Sequence, residues 1–134
     1  MATYNKFQAW ADTMVEGASL ATDQFAIALT NAAPVATNSV LADITQISYT
    51  NLSSRNVTTT SSSQTSGTYT LVLADLVLSA TGSVGPFRYV VLYDDTPTSP
   101  ADPLVGWWDY GSSITMASGE TFTVDFTGAA ITLS

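Results

Sequence analysis

The chain has 134 residues, enough for one domain with a sizeable core, and its hydrophobic fraction of 46% is that of a folded protein rather than a disordered one. Only 10% of its residues are charged, and the net charge of −8 leaves three cations, Lys6, Arg55 and Arg88, too few to track a nucleic-acid backbone or an anionic membrane surface. Cysteine and histidine are both absent, which excludes disulfides, thiolate nucleophiles, Cys/His zinc sites and an imidazole base.

The stretch Met1-Ala2-Thr3-Tyr4-Asn5-Lys6 runs directly into an amphipathic pattern, so no signal peptide is expected there. Phe7, Trp10, Ala11, Met14 and Val15 recur at helical spacing, with Asn5 placed to cap the helix and Gly17 to end it. The spacing predicts a helical arm over residues 1–17, its apolar stripe resting on the rest of the domain or on a partner. From Phe25 the period changes to two. Phe25, Ile27 and Leu29 alternate with Ala26, Ala28 and Thr30, a half-buried strand ended by Asn31-Ala32-Ala33-Pro34. Val40, Leu41, Ile44 and Ile47 then make one short helical face. Residues 51–67, rich in Ser, Thr and Asn, read as an exposed loop holding one strand near 57–61.

Beyond Gly67, strand follows strand. Tyr69, Leu71 and Leu73 share a face, and Leu76, Leu78 and Ala80 resume on the other parity. A slip of one residue inverts every side chain, so a turn or bulge is required near Asp75. Gly82-Ser83-Val84-Gly85-Pro86 reads as a turn. Residues 87–93 are apolar on both parities apart from Arg88, the mark of a central strand. A Pro-rich loop over 95–103 leads into strands at 104–110, 114–117, 121–126 and 131–133. Eight or nine short strands, with no helical stretch between the later ones to make a parallel crossover, predict a mainly β protein. The expected architecture is a single antiparallel β-sandwich or jelly-roll-like domain over 25–134, with the short N-terminal helix attached.

Chemistry has little to work with. Asp94, Asp95, Asp102 and Asp109 lie on or beside the Pro-rich loop and could gather round a hard cation, but no EF-hand or repeat spacing organises them. A solvated loop is the plainer reading, and neither metal nor cofactor is expected. A glycosidase would need Asp94 and Asp109 to face each other across a deep groove, for which short strands leave little room. Ser61-Ser62-Ser63 has no His or nearby Lys to activate it. The sequons at Asn51-Leu52-Ser53 and Asn56-Val57-Thr58 are of the kind that Ser/Thr/Asn-rich loops produce by chance. Trp107 and Trp108 are adjacent on a strand and so point to opposite faces, one into the core and one outward. The outward one is either covered by the N-terminal helix or exposed as a binding anchor. Arg88, a guanidinium among apolar residues, needs a partner. A hairpin joining 87–94 to 104–110 would bring Asp109 nearly opposite, so an Arg88–Asp109 cross-strand pair is expected to hold the register. The expectation is a protein that binds protein and is not an enzyme.

Several strings resemble the small head-decoration (cement) proteins of tailed bacteriophages. They include Met1-Ala2-Thr3-Tyr4-Asn5-Lys6-Phe7, Ile27-Ala28-Leu29-Thr30-Asn31-Ala32-Ala33-Pro34, Leu41-Ala42-Asp43-Ile44 and the run from Ser61 to Tyr69. Gly85-Pro86-Phe87-Arg88-Tyr89, Tyr93-Asp94-Asp95-Thr96, the run from Gly106 to Ser113, and Gly119-Glu120-Thr121-Phe122-Thr123-Val124 extend the resemblance over most of the chain. Asn51-Leu52-Ser53-Ser54-Arg55-Asn56 departs from it, standing where such proteins carry a Gly-rich turn. The resemblance implies a structural virion protein on the exterior of a phage head. Its partners would be the major capsid protein and copies of itself, as a homotrimer that ties capsomers together. Tyr4, Phe7 and Trp10 are then the first candidates for capsid contact, and Thr96, Pro97, Pro100 and Pro103 the second. Two alternatives stay open: a tail or fibre component, and a carbohydrate-binding module or adhesin using the outward tryptophan.

Overall fold

A computed structural model describes residues 4–16, 18–98, 100–126 and 131–133. In chain order the elements are β1 (Tyr4–Lys6), α1 (Trp10–Glu16), β2 (Phe25–Thr30), a 3-10 turn (Leu41–Asp43), β3 (Asn56–Val57), β4 (Thr59–Thr65), β5 (Thr68–Leu73), β6 (Leu76–Ser79), β7 (Val84–Asp94), β8 (Leu104–Met116), β9 (Thr121–Val124) and β10 (Ile131–Leu133). All strand pairings are antiparallel. One layer is a five-stranded sheet of order β1-β8-β7-β2-β3, and the other is built from β10-β5-β4 and β6-β9. Phe25, Ile27, Leu29, Val90, Leu92 and Trp108 of the first layer pack in one cluster with Leu71, Leu73, Leu78, Val124 and Ile131 of the second. The protein is mainly β, a single antiparallel sandwich-like domain.

The first layer is covered on its other face too. Ala26, Ala28, Val91, Tyr93 and Leu104 form a smaller core there with Phe7 and Ile44. All six residues of β2 are therefore buried, where alternation alone predicts a half-buried strand. The small alanines on this face leave room for the segment around the 3-10 turn to lie close. That turn replaces the expected helical face over 40–47. Its Asp43 carboxylate accepts hydrogen bonds from the Ser39 and Val40 amides at 2.9 and 3.3 Å, which holds the carboxyl below its ordinary pKa.

The β7–β8 hairpin is long and repeatedly bulged. Leu92 pairs with Gly106 and Tyr93 with Leu104, so Val105 is an extra residue. It turns into the main core while Leu104 turns into the smaller one. Tyr89 pairs with Asp109 and Phe87 with Ile114, which loops residues 110–113 out at Gly111, whose φ is +87°. The two strands expected at 104–110 and 114–117 are thus one bulged strand. The turn expected over 82–86 has the same origin. β7 has already begun at Val84, paired with Met116, with the cis Gly85–Pro86 peptide in the bulge. Near Asp75 the chain leaves one sheet for the other, and the Asp75 carboxylate accepts the Phe126 amide at 2.9 Å.

The N-terminal segment differs most from expectation. Tyr4–Lys6 is a strand paired with Gly106–Trp108, and the Phe7 amide continues the pairing to the Val105 carbonyl at 3.0 Å. Asn5 lies in this strand rather than capping a helix, and α1 begins only at Trp10. Residues 1–3 and Gly17 of the expected arm lie outside the described residues. The pairing is possible because Gly106 carries no side chain: a Cβ there would overlap the Tyr4 ring. No helix among the described residues is long and apolar enough to cross a membrane.

Candidate functional site

Charge is segregated in this fold. The five strands of the second layer, TTSSSQT, TYTLVL, LVLS, TFTV and ITL, contain no charged residue. Their inward positions fill the core, and their outward positions carry hydroxyls and two valines. Ser61 stands opposite Val72, Ser63 opposite Thr70, Val77 opposite Thr123 and Ser79 opposite Thr121. Val72 is 40% exposed and Val77 54% exposed. The charges sit on the first layer and in connections, with Asp75, Glu120 and Asp125 at the strand ends. This face can offer shape, methyl groups and neutral hydroxyls to a partner. It has no group able to move a proton at neutral pH.

The residues expected to touch a capsid are divided by the structure. Phe7 and Trp10 are fully buried and Tyr4 is half-buried, so they are core rather than an exposed arm. Phe7 packs at a tilt against Trp107 with ring centroids 4.6 Å apart, Tyr4 likewise against Trp108 at 5.2 Å, and Trp10 meets Phe25 edge-on at 6.3 Å. The cause is the β1–β8 pairing, which turns alternate aromatic side chains onto the two cores. In the Pro-rich loop, Thr96 and Pro100 are exposed and Pro97 is half-buried, whereas Pro103 is buried and bridges to Val40. Pro103, Phe7 and Trp10 are thereby withdrawn as contact residues, while Tyr4 keeps part of its surface exposed.

Trp107 and Trp108 do point to opposite faces. Trp108 lies in the main core and Trp107 against the smaller one, where Phe7, not the helix, covers it. Trp108 is buried and Trp107 half-buried, so only part of one ring reaches the surface. Arg88 and Asp109 form a two-pronged pair, Nε donating to Oδ1 at 2.8 Å and Nη2 to Oδ2 at 3.1 Å. The cross-strand partner of Asp109 is Tyr89, so the contact is diagonal rather than opposite. The shared hydrogen bonds raise the arginine pKa and lower that of the carboxyl, helped by the Gly111 amide at 2.8 Å.

The loop carboxylates separate in the same way. Asp109 is at the Arg88 end, while Asp94, Asp95 and Asp102 gather at the other end with Asp23. Burial pushes Asp94 up to about 8, the Asp23 carboxyl adds to this, and the Thr96 amide opposes it at 3.3 Å from Oδ1. Asp102 is raised by burial and then by Asp95. Among the described residues no three acidic groups are placed to hold a metal ion. The end of the sheet is an acidic rim, and Asp109, at the Arg88 end, does not face Asp94. A pocket of about 170 Å³ lies between Tyr4, Lys6, Trp10, Met14, Ile131 and Thr132, and a more open cleft runs beside Met14, Leu20, Ser62 and Tyr69. Neither has an acidic residue in its described lining.

Arg55 was not singled out by its sequence context, yet it is built into the fold. Its guanidinium lies 3.7 Å over the Tyr49 ring, and Nη1 donates to the Ile27 carbonyl at 2.8 Å and the Tyr93 hydroxyl at 3.4 Å. No local motif marks such a clamp. The uncharged layer did leave a sequence signal, the run without charge from Asn56 to Ala74. Comparison of the chain with protein families, with characterised proteins and with solved structures found no match.

Proposed function

We propose that this chain is a structural virion protein, a decoration or cement protein that seats on the exterior of a phage head and braces neighbouring capsomers. The observation that carries the reading is the uncharged Ser/Thr/Val face of the second layer, rigidly backed by a packed core and set on an otherwise acidic molecule. A surface that must lie flat on another protein avoids desolvating charges, and hydroxyls and small apolar groups can be buried at little cost. The partners in this reading are the major capsid protein and further copies of the chain, with a homotrimer as the assembly at three-fold positions. Exposed Thr96 and Pro100 form the secondary contact. The exposed acidic residues of α1 and the connections, Asp12, Glu16, Asp43 and Asp95, stay in solvent and keep decorated particles apart.

Binding to undecorated heads tests the reading. Wild-type protein should bind them saturably and raise the temperature at which they disrupt. A Thr70→Arg/Thr123→Arg double variant, altered only at outward positions, should fold normally and bind poorly. Wild-type protein that ignores heads and fractionates with tails overturns the proposal.

A further inference from the structure

Most strand edges in this protein are short. The outer strands of the five-stranded sheet have three and two residues, β10 has three, and β6 and β9 have four each. β4 is the exception, an edge strand of seven residues, five of them exposed. Proteins blunt long edges with lysine, proline or a covering segment. β4 has no charge and no proline, and among the described residues no strand lies on its outer side. Its one irregularity, a register shift between Thr59 and Ser61, is confined to one end.

We infer that β4 is a self-association edge: two copies of this chain join β4 to β4, antiparallel about a two-fold axis at Ser63. The two three-stranded sheets would then merge into one continuous sheet. The inference stands apart from the capsid reading, because it rests on the edge alone.

The register follows from the hairpin. Ser66 and Gly67, both with positive φ, form the two-residue turn, so the closing pair Thr65–Thr68 is the hydrogen-bonded kind. Alternation then bonds Ser63 to β5 and directs the N–H and C=O groups of Ser62 and Gln64 to the open side. An antiparallel partner satisfies them when Ser62 of one copy pairs with Gln64 of the other. Ser63 then faces Ser63 of the second copy in a non-hydrogen-bonded pair, and Ser61 faces Thr65. Such hydroxyl pairs are favourable cross-strand neighbours.

Charge selects a second copy as the occupant. Each chain carries −8, so two copies repel unless they approach through an uncharged region. β4 and its neighbour β5 lie within the uncharged run from Asn56 to Ala74. A strand is also self-complementary in the antiparallel sense, which makes the contact closed rather than filament-forming.

Sedimentation of the intact chain across micromolar to millimolar concentrations should show a monomer–dimer equilibrium that strengthens with salt. Ser63→Lys places like charges face to face and should weaken the dimer by up to about fivefold without changing the stability of the monomer. In this cysteine-free chain, Ser63→Cys should form a disulfide-linked dimer under mild oxidation far faster than Ser83→Cys, an exposed loop control. If Ser63→Lys fails to fold, the cysteine pair decides. A wild-type chain that stays monomeric, one that forms only trimers, or a Ser63→Cys that cross-links no faster than the control overturns the inference. A trimer would do so while leaving the head-binding proposal standing, so the two failures are distinguishable.

Discussion

Arg88 and Asp109 are locked by two hydrogen bonds although they are not cross-strand partners, and the carboxylate also accepts the Gly111 amide. The pair therefore pins the place where residues 110–113 loop out of the ladder. Asp109→Ala should loosen this bulge with only a small loss of overall stability, since both side chains are 39% exposed. Faster amide exchange at Gly111, with a nearly unchanged melting temperature, is the expected result.

Phe7 is fully buried between Trp107 and the alanine face of β2. Phe7→Ala should destabilise the fold by about 3–5 kcal/mol, as expected for an aromatic removed from a packed core. An exposed arm would lose almost nothing. Urea unfolding distinguishes the two.

Gly106→Ala should destabilise by about 1–3 kcal/mol, because the new methyl overlaps the Tyr4 ring. In a Tyr4→Ala background the same change should be far milder. A double-mutant cycle reads the coupling directly.

Asp94 gives stability a pH dependence of unusual sign. Its folded pKa of about 8 exceeds its unfolded value, so the folded state holds a proton that the unfolded chain has released. Stability should therefore fall as the pH rises from about 4 to about 8. Asp102, also raised, acts in the same direction. Asp43 and Asp109 act oppositely: their carboxylate forms are favoured by folding, and that contribution disappears as acid protonates them. The optimum should lie on the acidic side of neutrality, and Asp94→Asn should flatten the decline above it. Urea midpoints at several pH values check both.

The sequence made the first layer legible wherever burial imposes a pattern. β2 and the centre of β7 stand out as apolar runs, and the phase break at Asp75 marks the crossing between sheets. The Arg88–Asp109 pair was readable because a charge inside an apolar strand has few partners available. β4 was legible only at its start, where the strand expected near 57–61 overlaps it; its remainder, a Ser/Thr/Gln run with little burial on either face, shows no apolar alternation. β1 was missed for a different reason. Phe7, Trp10 and Met14 do fall at helical spacing, but the ladder that captures Tyr4–Lys6 lies about a hundred residues further on, beyond any local pattern. Of the two alternatives left open for the apolar stripe, Phe7 and Trp10 take the first and rest on the rest of the domain, not on the capsid partner that the resemblance implied.

That same distance sets an order of events. The β1–β8 pairing joins Tyr4 to Trp108, so Phe7 cannot reach its final place until the chain has been made through β8. During synthesis these N-terminal aromatics emerge about a hundred residues before the strand that receives them. The growing chain carries them uncovered while the β7–β8 hairpin is still being made, and docking of β1 is the step that ends this exposure.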